Sequence, residues 1–152
     1  MVRSGRFLVE GEAEGGALVL ASPLSFWGGV DVANGAIIDP SHPDCGKNIQ
    51  GGILVMPGGR GSSSSSSVLA EAIRRGVGPA AIILPWPDPI LTVGALVARS
   101  LYGRVCPIVV CAIDGMTTGD RLRIEATGGD AAEARIAFLP AAERMESDVE
   151  AG

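Results

Sequence analysis

A glycine–serine segment at residues 56–67 carries the side chains best suited to chemistry in this chain. It reads Met-Pro-Gly-Gly-Arg-Gly and continues as six consecutive serines. Glycines let the backbone approach a ligand closely, and serine hydroxyls both donate and accept hydrogen bonds. A serine held among several donors is also a possible base. The segment therefore has the composition of a site for a carboxylate or a phosphate.

The flanks of this segment predict the elements that would position it. Residues 53–55 form an apolar run typical of a buried strand, and apolar residues recur at helical spacing over 68–73. The predicted order is a strand, a glycine-rich turn, and a helix over 64–75 whose first turn consists of serines. Unpaired N–H groups at a helix start and the positive end of its dipole attract anions.

Two other interpretations of the segment stay open beside an anion site. A serine run after glycines is often a flexible linker, although the apolar flanks on both sides oppose that interpretation. The serines could also do no more than cap the helix. A nucleotide P-loop is disfavoured, because the lysine of Gly-x-x-x-x-Gly-Lys-Ser/Thr is missing.

Three ionisable residues near predicted turns each have two possible roles. Arg60 is the only cation within the segment and could hold an anion or face solvent. Asp31, which follows a pair of glycines, could orient a substrate or cap a turn. His42 is the only histidine of the chain; it could do acid–base work, but a role in shaping the turn at Ser41-His42-Pro43 is favoured.

Composition narrows the class of partner and the location. The 152 residues carry a net charge of −5 and only 4% aromatic residues, so a nucleic-acid partner is not expected. No apolar run reaches the ~18–20 residues of a membrane span, and no signal peptide is evident, so a cytoplasmic location is expected. The length predicts one domain at residues 1–139, followed by a polar tail at 140–152, and the 47% hydrophobic fraction with few aromatic residues predicts an aliphatic core.

The three cysteines do not form a recognisable framework. An odd number with uneven spacing disfavours disulfides and a four-ligand zinc site. Cys106 and Cys111 lie beside the apolar run 107–110 and are expected to behave as small buried hydrophobes. Cys45 lies in a polar loop and is the one candidate for a ligand or a reactive thiol. No metal site is predicted in this chain.

The remaining pattern predicts an α/β fold with a β-rich, barrel-like frame and a β-α-β-α-β insert. Strands are expected at 6–13 and 17–21, joined as a hairpin by a turn at Gly15-Gly16, and at 36–39, 120–126 and 134–138. The insert comprises a strand at 51–56, the helix 64–75, a strand at 79–84, a helix at 90–101 opened by Pro87-Asp88-Pro89, and a strand at 107–111. Ligands of such folds bind at the carboxyl ends of the strands, which is where the glycine–serine segment lies.

Three motifs of the chain resemble the small subunit, or swivel domain, of the aconitase X family. They are Phe26-Trp27-Gly28-Gly29-Val30-Asp31, His42-Pro43 through Gly46, and Leu54 through Ser63, and the similarity runs from about residue 5 to 126. The resemblance implies a swivelling β/β/α domain that closes over a large catalytic subunit carrying an iron–sulfur cluster. It also implies a hydro-lyase that dehydrates a small hydroxy acid: cis-3-hydroxy-L-proline in bacterial members, which the unbroken serine run favours, or mevalonate 5-phosphate in archaeal members.

The same resemblance implies roles for the residues of the segment. Gly61-Ser62-Ser63 correspond to the Gly-Ser-Ser element that carries the catalytic serine of the wider aconitase superfamily, so Ser62 is the candidate base. The candidate substrate contacts are Gly61, Ser63, Ser64, Arg60 and Asp31. Aconitase follows this element with a substrate-binding arginine, and Ser64 stands in that position here. The carboxylate contact would then come from hydroxyls or from the partner subunit.

Two classes of function remain after this comparison. The chain is either one subunit of a hydro-lyase, inactive without its large subunit, or a non-catalytic anion-binding or scaffold module. A phosphohistidine swivel domain does not fit, because no histidine lies in the glycine–serine segment. No cofactor is expected in the chain itself, and the cluster is expected in its partner.

Overall fold

The computed structural model describes residues 1–59, 63–127 and 129–140. Its elements are β1 (Val2–Val9), β2 (Gly11–Val19), β3 (Ile53–Val55), α1 (Ser64–Arg74), β4 (Ala81–Leu84), α2 (Pro89–Tyr102), β5 (Ile108–Val110), β6 (Arg121–Ala126), the 3₁₀ turn Gly129–Ala131 and β7 (Glu133–Leu139). The predicted polar tail lies outside the described residues from position 141 onward.

The seven strands of the described part close into a barrel in the order β1-β5-β4-β3-β2-β6-β7, with β7 returning to β1. Strands β2, β3, β4 and β5 are parallel neighbours, and the other pairs are antiparallel. The predicted barrel-like frame and its β-α-β-α-β unit are confirmed. The two helices pack closely: a Cβ placed on Gly94 of α2 would lie 2.7 Å from the carbonyl oxygen of Ser66 in α1.

Strands β3 and β4 are apolar and buried at every position, so both of their faces lie in the core. Alternate residues such as Ile53 and Ile83 point into the barrel interior. The residues between them, such as Leu54 and Ile82, pack in a second cluster with Leu69 and Leu91 of the two helices. This two-layer core holds β3 and β4 in place, and with them the turns that follow each strand.

The predicted hairpin between the first two strands is wrong. β1 lies between β5 and β7, whereas β2 lies between β3 and β6. Gly15 and Gly16 are not a turn but residues within β2. A Cβ on Gly15 would lie only 3.1 Å from the Gly51 carbonyl oxygen, so glycine allows the two chain segments to approach. The chain turns instead at Gly11, which has a φ of +149°.

The strand predicted at 36–39 is also wrong. Residues 20–52, all of which the structure describes, contain no strand and only isolated bridges, among them Val30–Ile37. Tight turns end the extended backbone on both sides of Ile37: the Gly35 N–H donates to the Asp31 carbonyl, and the Cys45 N–H donates to the His42 carbonyl. Ile37 is buried without a strand around it.

Candidate active site

The carboxyl ends of three parallel strands meet at one edge of the barrel, which we call the serine edge. Val19 of β2 is in register with Val55 of β3, which is in register with Ile83 of β4. The segments that leave these strands, 20–31, 56–59 and 85–88, therefore lie side by side. A bridge between Leu24 and Gly59 joins the first two of them.

Two glycines at this edge have different surroundings. A Cβ placed on Gly59 would overlap Oδ2 of Asp88 and lie 3.3 Å from Cδ1 of Leu91. A Cβ placed on the adjacent Gly58 would meet only Nε1 of Trp86, at 3.7 Å. Gly59 is therefore required by a close approach between two loops, whereas Gly58 has room for a side chain.

Helix α1 begins at this edge with serines and no acidic residue in its first turn. Its N-cap, Ser63, has helical φ and ψ of −57° and −20° and makes no side-chain capping hydrogen bond. The linker interpretation is wrong for residues 64–67, which are helical, and capping by the Ser63 side chain is not present. Ser63 and Ser64 are exposed to solvent.

Two further serines of α1 attach the helix to its neighbours. Ser65 is buried, and its Oγ accepts a hydrogen bond from the backbone N–H of Trp27 at 3.3 Å. Ser66 donates through its Oγ to the carbonyl of Ile90 at 2.6 Å. The serine run therefore has two parts: Ser65 and Ser66 fix the helix to the loops beside it, and Ser63 and Ser64 face solvent.

The second helix also starts at the serine edge, but its N-terminus has its own carboxylate. Asp88 is the N-cap of α2, and its Oδ1 accepts from the Leu91 N–H at 3.0 Å. Pro89 at the first helical position completes a common helix start. The sequence predicted this helix start from Pro87-Asp88-Pro89, but it did not predict that Asp88 and Trp86 would lie beside the glycine–serine segment.

The structure describes only some of the predicted site residues. Arg60, Gly61 and Ser62 lie outside the described residues. Asp31 belongs to a turn: its Oδ1 accepts from the Ala33 N–H at 2.8 Å, and its carbonyl accepts from the Gly35 N–H at 2.7 Å. These contacts correspond to the turn-capping role that the sequence left open.

His42 is buried in a polar cluster of the 39–47 loop. Its Nδ1 accepts from the Asp44 N–H at 2.9 Å, so its Nε2 donates to the Ser22 carbonyl at 3.1 Å. Asp44 in turn accepts from the Ala21 N–H at 3.3 Å and pairs with Lys47 Nζ at 2.8 Å. Both ring nitrogens are used in holding this loop against the end of β2, as the turn-shaping interpretation predicted.

The ion pair of this cluster makes its stability depend on pH. The Lys47 ammonium donates to Asp44 and lowers the pKa of that carboxyl below its ordinary value of 3.8. A lowered carboxyl pKa means that the unfolded chain binds the proton more tightly than the folded chain. The ion pair therefore stabilises the fold fully at pH values above the ordinary carboxyl pKa. This contribution is lost as the pH falls through the lowered pKa of Asp44 in the folded chain.

Replacing His42 with alanine is expected to reduce the free energy of unfolding by about 1–3 kcal/mol, because the buried Asp44 N–H and the partly buried Ser22 carbonyl lose their partners. His42→Asn is the matched control, since an asparagine oxygen two residues before the Asp44 N–H can replace Nδ1 as acceptor. Urea denaturation of the isolated chain measures both variants. A His42→Ala chain as stable as the wild type would contradict this structural role.

The cysteines and acidic residues of the described part do not form a metal site. Among those residues, no group of three or more histidine, cysteine, aspartate or glutamate side chains could hold a metal ion. All three cysteines are free thiols. Burial raises the pKa of Cys106 to about 12 and also raises the pKa of Cys111, so both remain protonated.

Only Cys45 is exposed, so one thiol per native chain is expected to react with a thiol reagent. Cys106 and Cys111 should react only after unfolding, because they are buried and their thiolate forms are disfavoured. Titration with a chromogenic disulfide, before and after adding guanidinium, counts the reactive groups. Cys45→Ser is the control: it should leave no rapidly reacting thiol, and any that remained would contradict the burial of the other two.

One concave surface of the barrel lies away from the serine edge, and neither helix in the described part of the chain has the character of a membrane span. A concavity of about 270 Å³ is lined by Glu12, Ala13, Glu14, Arg123 and Ile124 on the β2–β6 pair. It lies toward the amino end of β2, whereas the serine edge is at the carboxyl end. Neither helix of the described chain is long and apolar enough to cross a membrane.

The barrel and its edge define a class of protein: a β/β/α domain that presents serines and an uncapped helix start where parallel strands end. The aconitase X swivel domain model matches residues 3–132, and the chain belongs to that family. The chain is 52% identical over 103 residues to cis-3-hydroxy-L-proline dehydratase of Pseudomonas aeruginosa. The aligned stretch covers 68% of this chain and 18% of that protein.

Two other relatives match over nearly their whole length. The phosphomevalonate dehydratase small subunit of Pyrococcus abyssi is 40% identical over 127 residues, which is 83% of this chain and 90% of that one. In the crystal structure of Thermococcus kodakaraensis aconitase X, holo-form, one chain superposes with a TM-score of 0.78 at 33% identity, covering 90% of this chain and 98% of that one. The chain spans about a fifth of the hydroxyproline dehydratases that it matches, each at 18%.

Proposed function

We propose that this chain is the swivel subunit of a two-chain hydro-lyase of the aconitase X type, which we call the two-chain enzyme. The single-chain relatives contain about four-fifths of their length outside the part that matches this chain. In this proposal a separate large subunit corresponds to that remaining part. The reaction is the dehydration of a hydroxy acid, and Ser62 acts as the base. The observation that carries the proposal is the start of α1, where serines lie at the positive end of the helix dipole with no side-chain cap and no acidic residue in the first turn.

The chemistry explains why a base would be placed there. Dehydration beside a carboxylate requires removal of a proton from carbon and departure of a hydroxyl. A serine hydroxyl is a weak acid in water, but N–H donors and a helix dipole stabilise the oxygen when it is negatively charged. The α1 start offers both, whereas the α2 start is already occupied by the Asp88 carboxylate. Ser62 immediately precedes the α1 N-cap in the sequence.

Substrate binding is assigned to the same end of α1. The exposed Ser63 and Ser64, with Arg60 and Gly61, would contact the carboxylate of the substrate. Asp31 is kept as a further substrate contact, although its Oδ1 already accepts from the Ala33 N–H. The large subunit would complete the carboxylate site where aconitase uses an arginine.

The iron–sulfur cluster of this proposal belongs to the large subunit. The described residues of this chain do not provide ligands for one: they lack a group of three suitable side chains, and two of the three cysteines are buried with raised pKa values. A Lewis acid would assist departure of the hydroxyl. Three free cysteines also agree with a reducing compartment, so we place the enzyme in the cytoplasm.

The substrate that we propose is cis-3-hydroxy-L-proline. Support comes from the 52% identity to the Pseudomonas dehydratase over 103 residues, together with the unbroken run of six serines. The alternative substrate is mevalonate 5-phosphate, because the small subunits of that dehydratase are 36–48% identical. The alternative of another class is a scaffold module that binds anions without chemistry.

The test is to co-express this chain with the large aconitase X-type chain of the same genome and to assay the purified complex. We expect dehydration of cis-3-hydroxy-L-proline and at least about a hundredfold lower kcat/KM for mevalonate 5-phosphate, because each lost polar contact in a specific site costs heavily. A preference for mevalonate 5-phosphate would instead assign that compound as the substrate. A complex that forms, holds its cluster and turns over neither compound would favour the scaffold class.

A further inference from the structure

Both tryptophans of this chain lie at the serine edge, and both are exposed. The chain has only two tryptophans among its few aromatic residues. Trp27 is 62% exposed and Trp86 is 65% exposed. Such large apolar side chains are usually buried when they have no partner. Their common position is therefore a property of this edge that needs a physical reason.

The two tryptophans follow the strands on either side of β3: Trp27 comes after β2 and Trp86 comes after β4. Trp27 is attached to α1, because its backbone N–H donates to Ser65 Oγ at 3.3 Å. Trp86 follows β4 and approaches the glycine turn after β3, with Nε1 3.7 Å from the position of a Cβ on Gly58. The glycine turn and the start of α1 lie between them.

The backbone holds each tryptophan in a defined position. Trp86 is flanked by Pro85 and Pro87, which fix the φ angles on both sides. Trp27 is followed by Gly28, which turns the chain with a φ of +79°. Residues held in this way lose little conformational freedom when they bind, which is typical of the anchor residues of protein interfaces.

We propose that Trp27 and Trp86 are the anchors by which this chain docks on its large subunit, one on each side of the serine edge. This inference rests on the proposed function for the identity of the partner. A small hydroxy acid such as cis-3-hydroxy-L-proline has one small saturated ring, which cannot cover two exposed indoles. The net charge of −5 opposes nucleic acid and anionic lipid. A protein surface with apolar pockets is the remaining partner, and the single-chain relatives carry about four-fifths of their length beyond this domain.

The docking geometry follows from the two positions. Indoles on either side of the glycine turn would be buried together only when the large subunit covers the serine edge. Such contacts exclude water from the site between them. In this proposal, burial of the two tryptophans on assembly of the two chains also excludes water from the site.

The experiment measures the dissociation constant between this chain and the large chain. Trp27→Ala and Trp86→Ala should each raise it at least about tenfold, as truncated interface tryptophans do. Leu101→Ala is the matched control: Leu101 is 68% exposed, but it lies near the far end of α2, about 20 Å from the serine edge along the helix axis. That variant should bind within about twofold of the wild type. Both tryptophans are exposed, so the isolated variants should unfold at the wild-type temperature.

A second measurement does not depend on activity. Labelling this chain alone with 5-fluorotryptophan gives two ¹⁹F resonances, one for each tryptophan. Both should shift when the unlabelled large chain is added. Resonances that shift with the concentration of this chain alone would assign the surface to a second copy instead, and an unchanged dissociation constant with a raised KM would assign the indoles to the substrate. Either result overturns the proposal.

The failure of this inference is distinguishable from failure of the proposed function. A complex that assembles through the two tryptophans but dehydrates neither substrate would overturn the function and leave the docking surface. An active complex that forms equally well without either indole would overturn the docking surface and leave the function.

Discussion

Replacing Ser62 with alanine is expected to lower the turnover of the two-chain enzyme by about 10²–10⁴-fold, which is the usual contribution of a positioned general base. The substitution removes one oxygen and leaves a methyl group, so folding and substrate binding should change little. Alanine is also favourable close to a helix. Steady-state kinetics on the assembled complex measure the effect, which should fall on kcat and leave KM nearly unchanged.

Ser67→Ala is the matched control for this prediction. Ser67 belongs to the same serine run, lies on α1 and is exposed, so the same atom is removed five residues further along. Its turnover should stay within about twofold of the wild type. A Ser62→Ala enzyme that kept more than about a tenth of wild-type turnover would remove Ser62 from the role of base.

The α/β half of the fold was predictable because its signals are local. An apolar run between two helical patterns predicts a buried parallel strand, and β3, β4 and β5 were all found within the predicted ranges. The helix starts were equally visible: Asp88 lies before Pro89 in the sequence and caps α2 in the structure. These elements need only short crossovers, whose direction is constrained by chain geometry.

The antiparallel half was harder to predict because its pairing is not local. β2 pairs with β6, and Gly15 is opposite Leu122, a residue more than a hundred positions away. Alternating residues show that a segment is extended, but they do not select its neighbour. The pair Gly15-Gly16 predicts a turn, whereas both residues lie within β2 and Gly15 allows the close approach of another segment.

The sequence predicted the site only in part, because some of the contacts within the site are also not local in the sequence. The position of the glycine–serine segment after a strand, and the helix after it, follow from the sequence around it. Trp86 and Asp88 reach Gly58 and Gly59 only through the register of β3 and β4. The proline-rich sequence around Asp88 was a signal for a helix start, but nothing local indicated which loop it would touch.

Gly59→Ala is expected to lower the activity of the two-chain enzyme by at least about tenfold and its stability by about 1–3 kcal/mol, the usual cost of an overpacked position. The new Cβ would overlap Asp88 Oδ2, and Asp88 cannot turn away freely because its Oδ1 caps α2. The backbone that leads into Arg60, Gly61 and Ser62 must then move. Kinetics of the assembled enzyme and urea denaturation of the isolated chain measure the two effects.

The neighbouring glycine and the opposing carboxylate supply the controls. Gly58→Ala adds the same methyl group one residue earlier, where only Trp86 Nε1 lies within 4 Å, so activity should remain within about twofold of the wild type. Asp88→Ser keeps one oxygen to cap α2 but removes the oxygen that the new methyl would meet. The double variant with Gly59→Ala should therefore recover much of the loss, a coupling that a double-mutant cycle measures directly. If the effects of Gly59→Ala and Asp88→Ser simply add, the contact between these loops does not position the serine edge.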